Sequence, residues 1–111
     1  MESRISESDW KLFRRLKPLA LERFCQRALA ELVVIASDSS KSCHERFLKV
    51  FKQLQERNLE LAAAFDDLRR SSALLQLSRV QWLGLLTDEE LAEFSDETRR
   101  VVAGCREMWA K

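Results

Sequence analysis

The amino-acid sequence predicts an all-α protein in which a long antiparallel helical hairpin is followed by short C-terminal helices in a bundle-like arrangement. Three observations lead to this class. The 111 residues include two glycines and one proline, too few for the turns of a β-protein. Leucine, alanine, glutamate, arginine and lysine, which favour helices, dominate the composition. Apolar residues recur at helical spacing along the chain, which we take as one domain, residues 1–111.

The first helical region covers residues 6–36. It begins at Ser6, which has Asp9 three residues later in a variant of the capping box. Pro18 then interrupts it, because a proline inside a helix removes a backbone hydrogen bond and clashes with the preceding turn. Either the first helix ends near Lys17 and a new one starts with Pro18, or one helix continues with a kink. We favour the break slightly.

A serine-rich loop leads into the second helix, which the sequence places at residues 42–70. Ser42 and Glu45 form a candidate capping box, with Ser39 or Ser40 as alternative caps. A helix of this length spans roughly 40 Å, close to the length of the first helical region. Two helices of similar length joined by a short loop favour an antiparallel hairpin.

The C-terminal part predicts three shorter helices, at residues 73–86, 88–94 and 96–110. The first of them is apolar at nine of 14 positions, which is too apolar for a helix that buries only one side. In a chain of this size, a partner can supply one of the covering surfaces. Thr87 with Glu90 caps the next helix, and Ser95 caps the last.

A heptad stripe runs without a slip along the second helix, starting at His44 in position a. Periodicity of this length indicates a helix that packs along most of its length, and apolar flanking positions favour a bundle over a two-stranded coil. The stripe forms the candidate core or interaction residues Phe47, Phe51, Leu54, Asn58, Leu61, Phe65 and Leu68.

Asn58 is the polar exception in this stripe. If two copies crossed near it on a twofold axis, the two amides would pair and fix the register. Alternatively, Asn58 binds a side chain or a water within its own chain, which is the interpretation that we favour.

Basic residues form a second candidate site. In an antiparallel hairpin, the cations near the start of the first helix approach those at the end of the second, which gives a candidate phosphate-binding patch. Its members are Lys11, Arg14, Arg15, Lys17, Arg69 and Arg70. The net charge is only +1, and a solvated charged face is the more common outcome for such a pattern.

Cys43 and His44 are the nearest approach to a catalytic pair. Neighbouring residues on a helix point about 100° apart, so the pair is not arranged for proton transfer. No cysteine or histidine spacing typical of a metal site is present, and the two glycines form no phosphate-binding loop. We therefore expect no catalytic residues, no metal and no cofactor.

The sequence thus favours a non-enzymatic protein-interaction or structural module that dimerises with itself, with another protein as a further candidate partner. Association with nucleic acid through the basic clusters is the alternative. No apolar run is long enough for a membrane span, so we expect no membrane partner. Three widely spaced cysteines fit a reducing compartment, and we expect a cytoplasmic protein.

Overall fold

A computed structural model describes residues 4–110; residues 1–3 and 111 lie outside the described part. The first helix, α1, runs from Glu7 to Ala36. The later helices are α2 at Cys43–Phe65, α3 at Ala73–Trp82, α4 at Asp88–Ala92, α5 at Asp96–Gly104 and α6 at Arg106–Trp109, with a 3-10 turn at Arg70–Ser72 before α3. The described residues contain no strand, so the predicted all-α class is confirmed.

Helices α1 and α2 form the predicted long hairpin. Ser42 caps α2 through the backbone N–H of Glu45, and the Glu45 side chain accepts the Ser42 N–H in return, which completes the capping box. Near the loop, the Arg46 guanidinium donates to the carbonyl of Ala36 at 2.7 Å, where the last carbonyls of α1 lack helical partners. The hairpin makes the molecule elongated, with extents of 55 × 24 × 22 Å.

The break that we favoured at Pro18 is wrong, since α1 continues through this residue. The Pro18 ring is exposed, and so is Arg14, whose carbonyl loses its helical partner. Solvent can therefore satisfy that carbonyl. Leu16 and Ala20 on either side are buried in the core, and their packing holds both halves in one helix.

The hydrophobic core lies at the open end of the hairpin, where the C-terminal helices pack on it. The aromatic rings of Phe24 and Phe65 meet edge to face there, with centroids 6.2 Å apart. The other buried apolar residues come from the chain up to the middle of α1 and from the chain after Ala63: Ile5, Leu12, Phe13, Leu16, Ala20, Ala64, Ala73, Leu77, Val80, Leu85, Phe94 and Val102. Between Phe24 and Ala64, no described residue is fully buried, so the half of the hairpin near its loop has no core of its own.

Two arginines of α1 hold the turn between α3 and α4. Arg23 donates to the carbonyl of Leu85 at 2.8 Å and to both carboxylate oxygens of Glu90 at 2.7 and 3.0 Å. Arg27, one helical turn further on, donates to the carbonyls of Leu83 and Gly84 at 2.8 and 2.6 Å. The C-terminal helices are thereby fixed to one side of α1.

Three predicted helices end earlier than the sequence indicated. Helix α2 ends at Phe65 rather than residue 70, because the backbone of Asp66 is extended and that of Asp67 has a positive φ of 56°. Aspartate favours such a helix end because its short side chain can hydrogen-bond to nearby backbone groups in non-helical conformations.

Helix α3 ends at Trp82 rather than residue 86. Gly84 has a φ of 71°, and the Leu85 N–H reaches back to the carbonyl of Val80 at 3.2 Å, as in a Schellman motif. The predicted 88–94 helix ends at Ala92, and the predicted 96–110 helix is divided at Cys105 into α5 and α6.

Candidate interaction surface

The side of α2 that faces α1 is not the heptad stripe. It carries Arg46, Val50, Gln53, Arg57 and Glu60, all half-buried and spaced three or four residues apart. Polar side chains make hydrogen bonds across the hairpin. Glu31 of α1 accepts from the Arg57 Nε and from the Gln53 side chain, both at 2.9 Å, and its pKa lies below the ordinary value because of the Arg57 hydrogen bond first and the Gln53 bond second.

The heptad stripe lies beside this facing side and changes character along its length. At its inner end Phe65 is buried, and Leu61 and Leu68 are half-buried against the core. At its outer end, near the hairpin loop, the side chains are exposed to solvent: Phe47 by 69%, Phe51 by 54%, Leu54 by 49%, with Asn58 also exposed. One continuous stripe therefore contributes partly to the core and partly to an uncovered surface.

Helix α1 adds apolar side chains to the same surface. Arg27 points toward the C-terminal helices, and Leu29 lies two residues further along, about 200° around the helix, so it faces away from them. On α2, Phe51 lies nine residues before Glu60 and again about 180° around. Glu60 borders the cavity formed with Leu83 and Leu85, which places Phe51 on the opposite side.

We call this uncovered surface the open face; it comprises Leu29, Val33, Phe47, Phe51 and Leu54. Leu29 and Val33 are each 62% exposed. At roughly 150–250 Å² for an aromatic side chain, Phe47 and Phe51 expose roughly 185–310 Å², and the three aliphatic side chains add to this area. The largest apolar patch on a typical monomeric protein is roughly 300–600 Å² and is often functional, so the open face is a candidate interaction surface.

The candidate basic patch is interleaved with acidic side chains. The Glu7 carboxylate lies 3.7 Å from the Lys11 ammonium and 2.6 Å from the Arg70 guanidinium. The hairpin therefore brings Arg70, which follows α2, beside the first turn of α1. Arg69 pairs with Asp67 at 3.0 Å. Arg14 and Arg15 are exposed along α1, and Lys17 is half-buried. Acids thus accompany three of the six predicted cations, which reduces the attraction of the patch for phosphate.

Cys43 and His44 are exposed on the first turn of α2. The Cys43 sulfur contacts the Arg46 guanidinium at 3.3 Å rather than an imidazole. Among residues 4–110, no histidine, cysteine, aspartate or glutamate side chains cluster in a way that would hold a metal ion.

Glu90, the partner of Thr87 in the cap of α4, has a second structural role. The hydrogen bonds from Arg23, and then the Thr87 backbone N–H, lower the pKa of Glu90 to about 2. The side chain therefore remains ionised as it holds the turn between α3 and α4 against α1.

Sequence reasoning missed the role of Asp9, a buried carboxylate that is only 3% exposed. Its oxygens accept hydrogen bonds from the Ser95 N–H at 3.2 Å and from the hydroxyls of Ser95 and Thr98 at 2.6 Å each. Burial raises the pKa of Asp9, but the hydrogen bonds from Ser95 and Thr98 lower it by more, so the pKa lies below the ordinary 3.8. A signal was present, since Asp9 shares the helix face of the buried Phe13 and Leu16.

None of the helices in residues 4–110 has both the length and the apolar character that a membrane span requires. Comparisons of the chain with models of protein families, with curated protein sequences and with solved structures find no match.

Proposed function

We propose that this chain is a non-enzymatic helical protein-interaction module that assembles as a homodimer through the open face. The observation that carries the proposal is the exposure of five large apolar side chains on one side of a hairpin whose outer half has no core. Two helices alone bury little surface, and a second hairpin completes a bundle of four.

The size of the open face supports a second copy as its occupant. A stable interface of standard size buries about 800 Å² on each partner. Phe47 and Phe51 offer roughly 185–310 Å² of this, and Leu29, Val33 and Leu54 add the area of three aliphatic side chains that are 62%, 62% and 49% exposed. The half-buried Leu32 lies about one helical turn from Leu29 and adds to this area.

Light scattering coupled to size exclusion, at micromolar protein concentration, tests the proposal. The natural chain is expected at twice its 13.0 kDa mass. Phe51→Glu places a charge at the centre of the open face and is expected to give a monomer. Because Phe51 is 54% exposed in the single chain, the variant should retain its helical circular dichroism.

Val34→Glu serves as the matched control. Val34 is 71% exposed, yet it lies about 140° around α1 from Leu29 and so outside the open face. This variant is expected to remain dimeric. A natural chain that is monomeric at tens of micromolar, or a Phe51→Glu variant that dimerises like Val34→Glu, would overturn the proposal.

We propose the cytoplasm as the compartment of this module. The support is that Cys25, Cys43 and Cys105 are all free thiols, a state that a reducing compartment maintains. Association with nucleic acid stays an alternative with less support, because acids accompany the predicted basic patch.

A further inference from the structure

The C-terminal helices form a cavity of about 310 Å³ between α3 and α5. All of its lining residues lie within residues 78–106, so the cavity is separate from the open face of the hairpin. Its wall on α3 consists of Ser78, Gln81 and Trp82, which share one side of that helix because they are three and four residues apart. The volume lies at the lower end of the range of small-molecule sites, roughly 300–1,000 Å³.

The opposite wall runs along α5 into α6. Arg99, Val102 and Arg106 border the cavity and are spaced three and four residues apart. Cys105, which joins the two helices, keeps helical backbone angles, so this spacing again places the three side chains on one side. The Cα atoms of Arg99 and Arg106 are therefore about 10 Å apart along the helix, with Val102 between them.

The inner part of the cavity is apolar and its rim is cationic. Val102 is buried, and Leu91 of α4 is half-buried beside it. Trp82 is 41% exposed, so its indole ring gives the cavity an apolar wall that a ligand can reach from solvent. Arg99 and Arg106 are exposed at the rim. The lining residues thus include two cations and no carboxylate.

The polar groups that line the cavity differ in their partners. Arg99 donates to the Asp96 carboxylate and keeps its other N–H groups for further acceptors. Within residues 4–110, neither the Arg106 guanidinium nor the Gln81 side-chain amide has a hydrogen-bond partner. Two donor groups on opposite walls are therefore free to bind a ligand.

We propose that this cavity binds a small apolar carboxylate, with its apolar part between Trp82 and Val102 and its carboxylate on Arg106. A guanidinium pairs with a carboxylate through two parallel N–H···O bonds. Gln81 donates to the same group from the opposite wall, and Arg99 adds to the positive potential. A neutral apolar molecule would leave these donors unused, and a small inorganic anion would leave the apolar walls uncovered.

Nuclear magnetic resonance of the isotope-labelled full chain, titrated with octanoate, tests the proposal. We expect the backbone amides of residues 78–82 and 99–106 and the indole N–H of Trp82 to shift, with a Kd of about 1 mM or below. Octan-1-ol has the same apolar chain without the charge. It should bind about tenfold more weakly, because it cannot form the charge-assisted pair.

Variants at the rim separate the charged contact from the apolar one. Arg106→Gln should raise the Kd for octanoate about tenfold and leave that for octan-1-ol within about twofold. Arg100→Gln is the matched control, since Arg100 is also exposed and borders the neighbouring cavity but not this one. It should leave both Kd values within about twofold. Ala103→Phe fills the cavity from an exposed lining position and should abolish binding of both probes.

Three results would overturn the proposal. The first is that about 10 mM octanoate, tenfold above the expected Kd, shifts no amide of the two segments or shifts only other residues. The second is that octan-1-ol binds as tightly as octanoate. The third is that Arg106→Gln binds octanoate as Arg100→Gln does. The spectrum of each variant also shows whether it is folded, so a loss of binding can be assigned to the cavity.

Discussion

Replacement of Asp9 tests the contact that fixes the last helices to the start of α1. The carboxylate accepts the N–H of Ser95, the N-cap of α5, and the hydroxyl protons of Ser95 and Thr98. Asp9 thus caps a helix that lies 86 residues later in the chain. Because Asp9 and Thr98 are each only 3% exposed, water cannot replace these bonds without opening the core.

The magnitude follows from three hydrogen bonds to one charged group. Each such bond contributes about 1.5–3 kcal/mol, but removal of the carboxylate also removes the cost of burying a charge. For Asp9→Ala we therefore expect the free energy of unfolding to fall by about 2–4 kcal/mol. Asp9→Asn keeps the shape, and its amide oxygen can accept both hydroxyl protons, but its NH2 group replaces the oxygen that accepts the Ser95 N–H, and we expect a loss of about 1–2 kcal/mol.

The pH dependence has a definite sign. The pKa of Asp9 lies below its ordinary value in the folded chain, because the hydrogen bonds outweigh burial. Its contribution to stability is therefore fully present above the unfolded pKa of about 3.9 and is lost as the pH falls through that value toward the lower folded pKa. Asp9→Asn should remove this part of the acid destabilisation.

Urea denaturation followed by helical circular dichroism, at pH 7 and pH 3 and at one protein concentration, measures these effects. Glu7→Ala is the matched control, since Glu7 is an exposed carboxylate whose ion pairs with Lys11 and Arg70 should contribute less than about 1 kcal/mol. Thr98→Val in combination with Asp9→Ala should cost less than the sum of the single changes. The reasoning fails if Asp9→Ala costs no more than Glu7→Ala, or if Asp9→Asn remains as acid-sensitive as the natural chain.

Three further predictions concern the helices and the turn between α3 and α4. Pro18→Ala should restore a helical hydrogen bond in α1 and raise the free energy of unfolding by about 1–2 kcal/mol, and an unchanged or lower thermal midpoint would contradict this. Glu90→Gln should cost about 1–3 kcal/mol at pH 7 by breaking the bidentate Arg23 pair. That difference should persist above pH 4.5 and fade as the pH approaches about 2, since Arg23 lowers the pKa of Glu90; a difference that is constant over this range would count against the pair. Ser42→Ala removes the capping box of α2 and should cost about 1 kcal/mol in urea denaturation, whereas no loss would mean that the box contributes nothing.

Helix starts were predictable because they depend on neighbours in the sequence. The structure shows Ser6, Ser42, Thr87 and Ser95 each accepting a backbone N–H three residues later. A hydroxyl needs no tertiary partner to make this bond, so the sequence contains all the necessary information. The hairpin follows for the same reason, since two long amphipathic helices joined by a short loop have few other ways to pack.

Helix ends were less predictable, because the decisive residue acts through its backbone conformation. Gly84 was available as a stop signal, yet the apolar residues after it maintained a helical pattern that we extended to residue 86. After the turn at Gly84 the chain returns to the core, and Leu85 is buried there. The spacing of apolar residues alone does not distinguish this return from a continuation of the helix. Pro18 shows the opposite case, in which packing of the flanking turns overrides an unfavourable residue.

The stripe along α2 shows how far a heptad pattern can specify a surface without specifying its partner. Its period does not change between Phe47 and Leu68, but the C-terminal helices cover only the inner part. If the hairpin remained monomeric in solution, the large apolar side chains of Phe47, Phe51 and Leu54 would add nothing to the stability of the fold and would promote nonspecific association. A period that continues past the end of the core therefore favours a second packing surface on the exposed part of the stripe, which is the surface that the proposed dimer covers.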